Sequence, residues 1–129
     1  MRYSLLVTAG PDSPAAATAL HMADALLQRG HDISRIFFYR QGVLLASSLP
    51  VMSADEPDLC AHWRTFVQQH RLDAVVCIGA ALRRGILDTD ESRRHHRDAA
   101  NLAPGFTLGG LGLWAEAVAT SDRVLSFGA

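Results

Sequence analysis

The chain has 129 residues, the length of one domain at about 100–200 residues per domain, which leaves no room for a second folded unit. Its 49% apolar and 19% charged residues exclude a disordered chain and supply a real core. A net charge of −1 gives nucleic acid or an anionic membrane no global attraction, and no apolar run nears the ~18–20 residues of a membrane span, so a soluble, cytoplasmic chain is expected.

Tyr3 to Ala9 is a compact apolar run closed by Gly10-Pro11, which predicts a first buried strand and is too short for a secretory core. Ser13 as cap and Pro14 in the first turn start a helix over 15–29, with Leu20, Ala23, Leu26 and Leu27 on one face and Gly30 as its stop. Ile33 to Tyr39, rich in β-branched and aromatic residues, predicts the second strand. The stretch 41–54 reads as irregular, with one helical turn at Gly42 to Ala46. Asp55 and Pro57 open a helix to Arg71 that turns Leu59, Trp63, Phe66 and Val67 inward.

Asp73 to Gly79 is continuously apolar, as a central parallel strand is. Short helical pieces are expected over 80–84 and 88–97, a short strand at 106–108, a helix over 111–120 and a last strand over 123–127. Strands alternating with helices predict an α/β fold with a mainly parallel sheet of about five strands, covered on both faces.

All twelve basic residues are Arg, which removes chemistry that needs a side-chain amine, such as Schiff bases or a phosphate-loop lysine. Two cysteines, Cys60 and Cys77, are too few for a disulfide scaffold and lie outside zinc spacings. In such a sheet, reactive groups collect beyond the carboxyl ends of the strands. Cys77 is placed there, before Gly79 and a helical turn from Ala80, with Arg83 and Arg84 following. Of these two, alternation lets at most one point at the sulfur. Helix starts and nearby cations favour the thiolate, the form that attacks sulfur. The position suits a nucleophile; the alternative is a small hydrophobe buried in a sheet. Cys60, beside Leu59 on an amphipathic helix, reads as a half-buried packing residue.

Other patterns are weaker. Gly110-Leu111-Gly112-Leu113-Trp114-Ala115 fits the G-x-G-x-x-A fingerprint of dinucleotide sites, but its acidic partner about 20 residues on has no place in the sequence. A tight turn packing helix on sheet explains it better. The loop from Thr8 to Ser13 has one Gly and one Pro, few free N–H groups for a phosphate. Adjacent His95 and His96 point about 100° apart on a helix, a poor chelate, so Arg93 to Arg97 reads as a solvated face or a docking patch. Asp55, Glu56 and Asp58 fit the first turn of a helix.

Four blocks carry a family pattern: Phe37-Phe38-Tyr39-Arg40-Gln41-Gly42-Val43, Val76-Cys77-Ile78-Gly79-Ala80-Ala81-Leu82-Arg83-Arg84-Gly85-Ile86-Leu87-Asp88, Gly105-Phe106-Thr107-Leu108-Gly109-Gly110-Leu111-Gly112 and Asp122-Arg123-Val124. In order and spacing they resemble the TusD/DsrE family of sulfur-carrier proteins, from the first strand to the last. The resemblance implies a flavodoxin-like three-layer α/β/α sandwich and a sulfurtransferase whose cysteine carries sulfane sulfur as a persulfide. By position that cysteine is Cys77. Cys60 matches no motif, and Gly79 departs from the family's alanine, which loosens the turn beside the thiol.

The resemblance also implies two homologous subunits, TusB/TusC-like or DsrH/DsrF-like, in a two-fold heterohexamer. It implies a TusA-like donor, a TusE/DsrC-like acceptor, and no metal or organic cofactor. The sulfur would serve 2-thiouridine formation at the tRNA wobble position, without direct binding of nucleic acid. Cytoplasmic oxidation of stored sulfur, a scaffold subunit that carries no sulfur, and a nucleotide- or flavin-binding module are the alternatives.

Overall fold

The two-residue side-chain repeat of a strand sends neighbours on β2 (Asp32–Phe38) to opposite faces, and its buried end, Ile36 to Phe38, meets both covering layers. In the computed structural model, which describes residues 1–128, Phe38 meets Trp63 edge to face at 5.2 Å, on the face covered by α1 (Pro14–Gln28) and α2 (Leu59–Gln69). The Trp63 indole Nε1 donates to Ala16 O at 3.3 Å, tying these two helices together. Phe37 turns the other way, 6.1 Å from Trp114 on α5 (Leu111–Thr120).

Arg35 fastens α5 to the sheet. Its Nε donates to Asp73 Oδ2 at 2.8 Å, and its Nη1 donates to Leu113 O at 2.8 Å and approaches Glu116 Oε1 at 3.4 Å. Burial disfavours the guanidinium charge, but the two carboxylates outweigh it and hold its pKa above the ordinary arginine value.

The sheet is entirely parallel, in the order β4-β3-β2-β1-β5, with β1 (Arg2–Val7), β3 (Ala74–Cys77), β4 (Phe106–Gly109) and β5 (Arg123–Phe127) around β2. The chain steps one way from β1 to β4 and then crosses back to place β5 beside β1, which carries α5 to the opposite face. The expected three-layer α/β/α sandwich is the observed one. Asp122 sets the return: its Oδ2 accepts from Arg2 N at 2.8 Å, and its own N–H donates to Arg2 O at 2.8 Å. No helix among the described residues is long and apolar enough to cross a membrane.

Boundaries differ from expectation where side chains intervene. Asp55 and Glu56 lie outside α2; the helix begins at Leu59, with the Asp58 carboxylate accepting from Ala61 N at 3.0 Å. Glu56 precedes a proline, which disfavours helical backbone at that residue. At its other end α2 stops at Gln69, because Arg71 takes a left-handed φ of 50° and Leu72 N returns to Val67 O. The irregular stretch after β2 holds a 3₁₀-helix over Arg40–Ala46. A Cβ at Gly42 would stand 2.0 Å from Val7 O, so this helix presses backbone to backbone on the end of β1.

Candidate functional site

Strand β3 ends on Cys77, two residues earlier than the apolar run suggested, and α3 (Ile78–Arg83) begins at once. Cys77 is therefore the cap residue of α3 itself. Its side chain makes no capping hydrogen bond, while the first-turn amides of any helix lack intrahelical partners. The residue is 5% exposed. Across the β3–β4 ladder it stands opposite Gly109. On the other side, Phe38 pairs with Val76, so Tyr39 and the 3₁₀-helix follow from the neighbouring strand end.

Glycine builds the walls of this corner. A Cβ on Gly109 would come 2.5 Å from Leu113 Cδ1 and 2.9 Å from Val75 Cγ1, so the bare glycine makes room for the Leu113 side chain of α5 at this strand end. Gly110 and Gly112 have open space where a Cβ would go. The close packing expected of the G-x-G-x-x-A stretch thus falls on the residue before it, and Gly110 serves as the cap of α5.

The two arginines after Cys77 separate. Arg84 donates from Nη1 to Ala80 O at 3.2 Å and from Nε to Gln41 Oε1 at 3.4 Å, which ties α3 to the 3₁₀-helix. Arg83 folds back along α3 until its Nη1 lies 3.6 Å from the Cβ position of Gly79. Arg40 holds its guanidinium carbon 5.8 Å from the centre of the Tyr39 ring. Residues 39–46, 78–84 and 109–115, which frame Cys77, contribute these three arginines and no carboxylate.

The remaining candidates scatter. Cys60 is 4% exposed rather than half-buried, with its Sγ 3.6 Å from Leu44 O. Burial pushes its thiol pKa up, the Asp58 carboxylate adds to that, and Arg64 opposes it. The loop 8–13 borders an open cleft of about 430 Å³ lined by Gly10, Pro11, Asp12, Ser13, Gln41 and Leu44. Ser13 N–H is taken by Gly10 O, and the Ser13 hydroxyl accepts from Ala15 N. Arg93 to Arg97 are exposed, and no group of three metal-ligating side chains occurs among the described residues. Arg94 and His95 instead embrace Glu91, a 5%-exposed carboxylate on α4 (Thr89–Arg94), at 3.6 and 3.1 Å. Sequence reasoning missed Glu91. It also missed Arg35 and Gly42, whose only signal was their place in apolar or motif runs.

The DsrE/DsrF-like family matches residues 1–127. The chain belongs to that family. A protein of Pseudomonas aeruginosa named Sulfurtransferase TusD homolog is 47% identical over 128 residues, covering 99% of this chain and 98% of that one. Sulfurtransferase TusD of Salmonella typhi is 47% identical over 129 residues, covering 98% of this chain and all of that one. The crystal structure of the ychN protein of E. coli superposes with a TM-score of 0.74 at 20% identity, covering 98% of this chain and 100% of that one. That likeness is one of fold.

Proposed function

We propose that this DsrE/DsrF-like chain is a sulfurtransferase subunit of a sulfur relay and that Cys77 carries the sulfur. The observation that carries the reading is 47% identity, end to end, to proteins named Sulfurtransferase TusD. Its support in the molecule is a thiol at the carboxyl end of a central strand, capping a helix, with Arg40, Arg83 and Arg84 on the elements beside it.

The chemistry is thiol–persulfide exchange. The Cys77 thiolate attacks the outer sulfur of a donor persulfide; the donor S–S bond breaks, its electron pair leaves on the donor thiolate, and Cys77–S–SH remains. An acceptor thiolate then attacks that outer sulfur and expels Cys77 as thiolate. Each step conserves oxidation level, so no redox partner is needed. The donor is a TusA-like carrier, the acceptor a TusE/DsrC-like protein, and the end use 2-thiouridine at the tRNA wobble position. The chain works in the cytoplasm beside two homologous subunits, TusB/TusC-like, in a two-fold heterohexamer.

The burial of Cys77 favours a second reading, a scaffold subunit whose partner bears the sulfur. Peptide mass spectrometry after incubation with a persulfide-loaded carrier, partner subunits present, decides between them. One added sulfur on the Cys77 peptide, absent from Cys77→Ser, is expected. Sulfur on Cys60 moves the site, and sulfur on neither leaves the scaffold.

A further inference from the structure

Side chains on a helix lean toward its N-terminus, so a residue covers the turn before its own. Arg83 stands one turn after Gly79 on α3 and leans over it, bringing Nη1 to 3.6 Å from the place of the missing Cβ. Gly79 is two residues from Cys77, so the guanidinium lies along the turn that the sulfur caps. Arg83 is exposed and makes no hydrogen bond or ion pair among the described residues, whereas Arg84 is spent on Ala80 O and Gln41. Arg40, the third arginine of this end, rests on the Tyr39 ring. Asp12 lines a cleft that it shares with Gln41, the side chain that accepts from Arg84.

We propose that Arg83 is a positioning residue for sulfur transfer: its unpaired guanidinium, laid over the glycine turn, draws anionic sulfur groups toward Cys77 and steadies the thiolate that leaves. The idea rests on the reading of Cys77 as the carrier. Its consequence is that the anionic groups of the exchange, the departing donor thiolate and the incoming acceptor thiolate, are favoured at Cys77.

Paired alkylation of the whole chain at low ionic strength tests it, with anionic iodoacetate against neutral iodoacetamide, read on the Cys77 peptide. The ratio of the two rates cancels the thiolate fraction and any change in access common to both reagents. Replacing Arg83 by Gln lowers the iodoacetate-to-iodoacetamide ratio about three- to tenfold, the worth of one nearby charge in a partly solvated site. Arg83→Lys restores most of it, added salt lowers the wild-type ratio toward that of R83Q, and Arg84→Gln moves it less. A ratio unchanged in R83Q overturns the role of Arg83, and it does so while sulfur loading of Cys77 can still succeed. A Cys77 that neither reagent reaches in the folded wild type overturns both this role and the carrier reading.

Discussion

Cys60 and Cys77 are equally buried, at 4% and 5% exposure, yet they occupy opposite chemical settings. Cys60 lies on the first turn of α2, its sulfur aimed at Leu44 O and its thiol pKa raised by burial and by Asp58. Cys77 lies where a strand becomes a helix, its side chain making no capping hydrogen bond among the described residues, with arginines on the flanking elements. Burial alone therefore does not distinguish the two thiols. Their charged neighbours and backbone surroundings do, and on the proposed reading these single out Cys77 as the carrier.

The largest expected effect is the sharpest break between the two. Cys77→Ser abolishes sulfur acceptance from a loaded carrier, while Cys60→Ser retains it, both read as a mass gain of one sulfur on the intact chain. Equal losses in both variants would erase the distinction.

Next in size is the element the two sites share. The 3₁₀-helix supplies Leu44 O to Cys60 and Gln41 to Arg84, and it is seated by Gly42 against Val7 O. A methyl at Gly42 cannot fit without moving backbone, so Gly42→Ala costs about 2–4 kcal/mol in a denaturant titration, at the upper end for single substitutions. Unfolding free energy within 0.5 kcal/mol of wild type, on the order of a surface change, would mean the seat is soft.

These residues also mark how far the sequence was legible. The strands, a mainly parallel sheet covered on both faces and the placing of Cys77 near a strand end follow from apolar runs and punctuation, which are local signals. Gly42 and Gly109 matter because of atoms on β1, β3 and α5, at separations that periodicity does not encode. Arg35 looked like one polar residue in an apolar strand, and only the fold brings Asp73, Leu113 and Glu116 to it. Asp58 was grouped with Asp55 and Glu56 as first-turn charge. Its role as the cap that starts α2 depends on which carboxylate reaches Ala61 N.

A smaller effect, dependent on pH, belongs to Cys60. The folded-state pKa of Cys60 is raised, so its contribution is fully present below the unfolded thiol value and is lost as pH climbs through the folded one. Above about pH 8.5 the unfolded chain deprotonates first, and stability falls. Stability of Cys60→Ala should fall less steeply over that alkaline window than wild type, measured by urea midpoints at stepped pH. A parallel pair of curves would show that Asp58 and burial do not act on this sulfur.

The smallest expected effect compares how the two cysteine helices end. Both close with the same pair of returning amides: Gly85 N to Leu82 O and Ile86 N to Ala81 O after α3, Arg71 N to Gln68 O and Leu72 N to Val67 O after α2. The left-handed residue is Gly85 at φ 74° in the first and Arg71 at φ 50° in the second. A side chain in that region costs about 1–2 kcal/mol, part of which glycine returns through its larger unfolded-state entropy. Arg71→Gly therefore stabilises by about 0.5–1 kcal/mol, a rise of a few degrees in Tm, and Gly85→Ala destabilises by a similar amount. The two substitutions run in opposite directions because one backbone geometry is served by glycine beside Cys77 and by arginine at the end of the Cys60 helix. Should Arg71→Gly lower Tm, the guanidinium must be contributing more than its backbone strain costs.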